Sequence, residues 1–271
     1  MVECVAKLAL LEWNSQVVKF PCHPDSTVFI DIQAGVGQPL LVKQCIWALR
    51  ALYDFYEFKE KHFAETNLRI INDGQLLGVG SMYLGPGPSV QDRIPELADS
   101  TPPPADVITQ DPDLGTVIDV AVPKERINIK WYFYAPKDPI CNVGMWHRLV
   151  VGLLTIMAEK SASSKEEGDV GYYPPSDITI LAAPSNVGQQ ETGELTVGRA
   201  ITNLVLVSKT FAAYTPIRDR FRAGHTKISL NGVNIMRTSF FKGRDVPPNQ
   251  WDEVSYSSEP QTAKLRRRRS G

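Results

Sequence analysis

The sequence predicts an α+β fold, with antiparallel sheets, helices packed on one face and a pseudo-duplicated α-β-β arrangement. Three observations carry this reading. Two stretches, Leu68–Leu84 and Thr226–Gly243, each read as strand, tight turn, strand, with turns at Asn72-Asp73-Gly74 and Asn231-Gly232. Turns of this composition favour two-residue hairpins because their central residues tolerate positive φ. Each hairpin follows a segment with helical periodicity, and a strand-then-helix pair recurs in both halves of the chain.

The elements follow in order. Ser26–Gln33 alternates and is β-rich, which predicts a strand. From Gln38 to Lys61, Leu41, Cys45, Ala48, Leu49, Leu52 and Tyr56 fall on one helical face, with Pro39 placed for the first turn. In the segment from Ile127 to Tyr134, Ile127, Ile129, Trp131 and Phe133 share one side of a strand. Asn128, Lys130, Tyr132 and Tyr134 share the other, outward side. Asn142 caps a second helix with Trp146, Leu149, Val150, Leu153 and Met157 inward. Asp177–Pro184 and Glu194–Gly198 read as strands. Ile201–Tyr214 fits a strand by its β-branched residues and a helix by its length, and Phe211–His225 has helical character. These elements divide the chain into an α+β unit over 1–84, a Pro-rich linker over 85–115, a second α+β unit over 116–245 and a tail over 246–271. Ser161–Ser176 reads as a further polar linker.

The Gly-rich stretch from Ile71 to Pro88 invites a phosphate-loop reading. Such a loop needs a helix directly after its glycines. Gly78 and Gly80 are followed instead by Ser-Met-Tyr-Leu-Gly-Pro, so they read as strand glycines that allow a bulge or close packing.

With 43% hydrophobic and 22% charged residues the composition is that of a globular chain. No apolar run reaches the length of a membrane-spanning helix. The net charge of −1 is uneven. The tail segment Lys264–Arg269 holds five of the 29 basic residues, leaving 24 basic against 30 acidic residues elsewhere. An acidic body of this kind is no nucleic-acid groove. The scattered Cys4, Cys22, Cys45 and Cys141 read as free thiols of an intracellular protein, with two bridges left open.

Catalytic signatures are absent at sequence level, with no Gly-x-Ser-x-Gly, no His-Glu-x-x-His and no phosphate-binding lysine motif. No histidine or cysteine spacing suits a metal, and no cofactor is expected. Cys141 and His147 stand six residues apart across a helix start, which fits a semi-buried thiol better than a nucleophile. The interaction candidates are Phe55 on the aromatic helix, Tyr132 and Tyr134 on the outer strand face, and the basic tail residues Lys264, Arg266, Arg267, Arg268 and Arg269. The tail fits an import signal, a nucleic-acid arm or a contact with an acidic partner, and Ser270 after its arginines matches a basophilic kinase site.

Gln44-Cys45-Ile46-Trp47, followed by the first hairpin, resembles a group of uncharacterised filamentous-fungal proteins over roughly residues 25–85. Many of those proteins look secreted, whereas the start of this chain is a poor signal peptide. The resemblance implies no activity. The expected function is non-enzymatic, through self-association or binding of a protein partner, in the cytoplasm or with nuclear import. The alternatives are a nucleic-acid-associated or packaging protein using its arginine tail, and an enzyme whose site is assembled from distant residues.

Overall fold

Both predicted hairpins form, and around them the chain repeats one path twice. The computed structural model describes residues 1–23, 28–56, 65–85, 117–122, 127–133, 140–185, 195–213 and 222–244. The first unit runs α1 (Val2–Ala9), β1 (Lys19–Cys22), β2 (Val28–Ala34), α2 (Val42–Phe55), β3 (Thr66–Asn72) and β4 (Gln75–Leu84). A hairpin of β5 (Val117–Val122) and β6 (Ile127–Phe133) follows. The second unit then runs α3 (Val143–Ala158), β7 (Asp169–Tyr173), β8 (Ile178–Pro184), α4 (Val197–Ala213), β9 (Gly224–Leu230) and β10 (Val233–Lys242).

The small sheet has strand order β1-β2-β4-β3, and the large sheet has β5-β6-β9-β10-β8-β7. Reversed, the last four strands of the large sheet repeat the small sheet strand for strand, and β5-β6 is an addition at its β9 edge. All pairings are antiparallel.

The repetition extends to register. Val28↔Leu84 through Ala34↔Gly78 matches Ile178↔Lys242 through Pro184↔Met236. Both hairpins carry a register shift at the same place, between Ile70 and Ile71 on β3 and between Asn234 and Met236 on β10. Isolated bridges recur at Gln16↔Leu41 and Lys165↔Thr196. The bonds around them recur too: Val17 N donates to Leu40 O (2.7 Å) and Glu166 N to Leu195 O (2.8 Å). Val42 N donates to Ser15 O (3.0 Å) and Val197 N to Ser164 O (2.9 Å). Sequence expectation gave α-β-β twice, and the repeat is twice that size, α-β-β-α-β-β.

The units join through their helices. α1 packs on α2, α3 and α4, while α2 touches β3, α3 touches β7 and β8, and α4 touches β10. Residues from both sheets and all four helices form one continuous core, among them Ile30, Ile32, Leu49, Ile129, Trp146, Ile180 and Leu204. Polar contacts cross between units from equivalent positions on α2 and α4. Asp54 on α2 pairs with Arg148 on α3 (3.1 Å), and Lys209 on α4 pairs with Glu3 on α1 (2.6 Å). The Tyr53 hydroxyl donates to Gly144 O (2.7 Å).

Both turns use positive φ, at Asp73 (+49°) and Gly74 (+78°) and at Asn231 (+52°) and Gly232 (+81°), as the two-residue hairpin requires. No atom lies within 4 Å of a Cβ built on Gly74, so the cost of a side chain there is conformational. Gly74→Val is therefore expected to lower stability by about 1 kcal/mol or more, read as a shift in the urea midpoint. An unchanged midpoint would remove the turn from the account. Gly78 and Gly80 serve close packing, since a Cβ on either would sit 2.8 Å from a carbonyl of β2.

Four expectations need correction. Pro39 precedes the helix, whose N-cap is Leu41, with the Leu41 amide bonded to Gln44 Oε1 (2.8 Å). Of the expected strand Glu194–Gly198, Glu194 lies outside the described residues and Leu195–Gly198 is no strand: its last two residues open α4, and Ile201–Ala213 is helix despite its β-branched residues. Burial on nearly every side outweighs their modest helix penalty. The presumed linker Ser161–Ser176 contains β7 and an enclosed acid, Glu166. Cys4 and Cys22 form a disulfide, and Cys45 and Cys141 are free. Among the described residues no helix is long and apolar enough to cross a membrane.

Candidate functional site

α2 buries Val42, Cys45, Ile46, Leu49, Leu52 and Tyr53 and turns a second apolar stripe outward. Trp47, Ala51 and Phe55 recur every fourth residue, which places them on one helix face. Trp47 is 51% exposed and Phe55 41% exposed. Trp13 meets Trp47 edge-on, with ring centroids 5.8 Å apart.

The second unit differs at this stripe. Thr202, Leu206 and Thr210 hold the equivalent places on α4, and there Leu206 and Thr210 are buried. Strand β6 runs along that side: Trp131 packs on Phe211 (4.9 Å), and Ile127 lines a cavity together with Thr202. The β5–β6 hairpin thus pairs with β9, and its strand β6 sets Trp131 against Phe211 near the end of α4. No described strand pairs with the outer edge of β3, the counterpart of β9. Along β3, Asn67, Arg69 and Ile71 are exposed. Among the described residues the first unit therefore has an unpaired sheet edge on β3, the strand that α2 touches, whereas in the second unit β6 pairs with the corresponding edge.

Phe55, singled out in the sequence, lies within this surface. Trp47 was visible as part of an aromatic helix but was not distinguished from core residues. Tyr132 points away from Trp131 as the alternation requires, yet it is not on the surface. It is 4% exposed, stacks on His225 at 4.6 Å and has Lys227 Nζ 5.1 Å from its ring centre. Strand periodicity gives the side of a residue but not whether that side is covered. Tyr134, Lys264, Arg266, Arg267, Arg268 and Arg269 lie outside the described residues.

The thiol chemistry weighed from sequence finds little support. Burial pushes the Cys141 thiol up to about 12, as it does for Cys45, so neither is a thiolate near neutral pH. Asn142 caps α3 by accepting from Met145 N (2.8 Å). Burial first, and then the positive charge of the chain's N-terminal amine, lowers His147 to about 4. Its folded pKa lies below the ordinary 6.5, so the unfolded chain binds the proton more readily. The resulting stability is present above pH 6.5 and is lost as pH falls from there to about 4. His147→Gln should flatten this acid limb, whose size is about 2 kcal/mol, when urea midpoints at pH 7.5 and 4.5 are compared.

Lys160, Glu166 and Asp169 form a second charged group. Lys160 Nζ lies 2.8 Å from Asp169 and 3.5 Å from Glu166, and Glu166 Oε1 accepts from Gly168 N (2.7 Å). Burial is the main cause of a raised Glu166 pKa. These contacts tie the end of α3 to the start of β7 and give the group a structural role.

Comparisons of the chain with protein-family models, with curated proteins and with solved structures give no match.

Proposed function

We propose that the protein is a non-enzymatic binding module that captures an extended segment of a protein partner along β3 and over the α2 stripe. The observation that supports this is the difference between the two units. One edge is paired with a hairpin whose strand β6 alternates apolar residues, and among the described residues no strand pairs with its counterpart in the first unit, where α2 carries the exposed Trp47 and Phe55. The covering strand β6 indicates the chemistry of the occupant, a strand with apolar residues at every second position. Main-chain pairing to β3 would supply affinity, and the two aromatic rings would supply the anchors. The Cys4–Cys22 bridge favours an oxidising compartment over the cytoplasm expected from free thiols.

The probe is a synthetic peptide with the sequence of residues 117–133 of this chain. It should bind in trans and slow hydrogen exchange at the amides of Asn67–Ile71. Trp47→Ser combined with Phe55→Ser should weaken that binding about tenfold or more, the scale of losing two anchors. Protection at β9 instead of β3 would mean exchange with the chain's own hairpin and would overturn the proposal. So would a dimer of the unliganded protein in which β3 is already protected, since a second copy would then be the occupant.

A further inference from the structure

The second unit differs from the first on another flank. Lys43 N donates to Trp13 O (3.2 Å), and at the equivalent place Gly198 N donates to Ala162 O (2.8 Å). Where the first unit carries Trp13, Lys43 and Trp47, the second therefore carries Ala162, Gly198 and Thr202. A Cβ on Gly198 would sit 3.1 Å from Ala162 O, so a side chain there would push this loop a few tenths of an ångström away from α4. The small side chains accompany a cavity of about 420 Å³, within the range of small-molecule sites.

Its apolar wall is Leu10, Ile127, Leu230 and Ile235, and Arg199 and Asn203 line it from α4. Most local donors are already used. Val197 N and Gly198 N bond to Ser164 O and Ala162 O, and Ala200 N bonds to Thr196 O. Arg199 N donates to Thr196 Oγ1 (3.3 Å), and Thr202 Oγ1 donates to Gly198 O (3.1 Å). Asn203 is different. The residue is 1% exposed, and its buried Nδ2 has no hydrogen-bond partner among the described residues. A buried amide donor without an acceptor is costly, and an oxygen from a ligand would satisfy it. The exposed Arg199 stands one helical turn earlier on the same face. Among the described residues no acidic side chain lines the cavity, and the N-terminal end of α4 adds positive potential.

We propose that this cavity binds a small molecule with an apolar body and a single carboxylate. The body lies against the four aliphatic side chains. The carboxylate accepts from Asn203 Nδ2 and from the Arg199 guanidinium, whose planar donors match its two oxygens. The inference does not depend on partner capture at β3.

Side-chain NMR of Asn203 Nδ2 and Arg199 Nε, during titration with benzoate and octanoate and with benzamide and octanamide, tests it. The acids should bind about tenfold or more tightly than the amides and should shift both signals. Arg199→Ala, at an exposed position, should erase most of that preference. Thr202→Trp, which places the first unit's residue in the cavity, should abolish binding of all four. Equal binding of acids and amides overturns the proposal, as does binding that survives Thr202→Trp. The absence of any shift at millimolar ligand overturns it too.

Discussion

Phe211→Ala is expected to cost about 3–5 kcal/mol and to be the most damaging single truncation in the core. Phe211 lies at the end of α4 and is fully buried. Its ring stacks on Trp146 of α3 at 4.5 Å, tilts against Trp131 of β6 at 4.9 Å and meets Phe240 of β10 edge-on at 5.5 Å. One side chain thus ties two helices, the added hairpin and the central strand of the large sheet. Its removal leaves a cavity between rigid rings that collapse poorly, which puts the cost in the upper part of the large-to-small range. For a chain of this size the melting temperature should fall by roughly 10 °C. Trp131 and Trp146 both lose a ring neighbour, so intrinsic fluorescence of the native state should change as well. Phe55→Ala, at the surface of α2, should cost only about 0.5 kcal/mol. If the two variants melt alike, the aromatic cluster is not the packed centre described here.

The same ring shows how far the sequence could be read. The segment around Phe211 fitted strand or helix equally, because Val205, Val207 and Thr210 favour one and length favours the other. What decides is burial on almost every side of α4, a property of the assembled molecule. The hairpins were legible because Asp73-Gly74 and Asn231-Gly232 satisfy a local backbone demand. The face of Tyr132 was legible from alternation, but its cover was not, since burial on the second face of a sheet comes from segments distant in sequence. The duplication showed only as α-β-β because equivalent positions hold different residues, such as Trp47 and Thr202, or Asp54 and Lys209. Hydrogen-bond register preserves the match where side chains do not. α1 escaped notice because eight residues give barely two turns of periodicity. The candidate site was half legible. Phe55 was named as a contact residue, but an uncovered edge is recognised only by comparison with a covered one.

Loss of the Cys4–Cys22 bridge should be nearly as costly, at about 3 kcal/mol. The bond joins α1 to β1 across a sequence separation of 18, and closing a loop of that length restricts the unfolded chain by about that amount. Both sulfurs are fully enclosed, so Cys4→Ser with Cys22→Ser also buries two hydroxyls among apolar neighbours. The second unit meets the same geometric need without sulfur. Leu153 stands as far from the end of α3 as Cys4 does from the end of α1. Gly171 pairs with Ile180 as Cys22 pairs with Ile30. A Cβ on Gly171 would lie 3.7 Å from Leu153 Cβ, so a branched side chain over a glycine fills the space that the bridge fills in the first unit. Cys4→Leu with Cys22→Gly should therefore recover part of the loss, because a buried leucine contributes about 2 kcal/mol. It should melt above the double-serine variant and below the oxidised wild type. Reductant should lower the wild-type midpoint and leave the leucine–glycine variant unmoved. If the leucine–glycine variant is no more stable than the double-serine one, the two units are alike in path but not in how they pack a helix onto its strand.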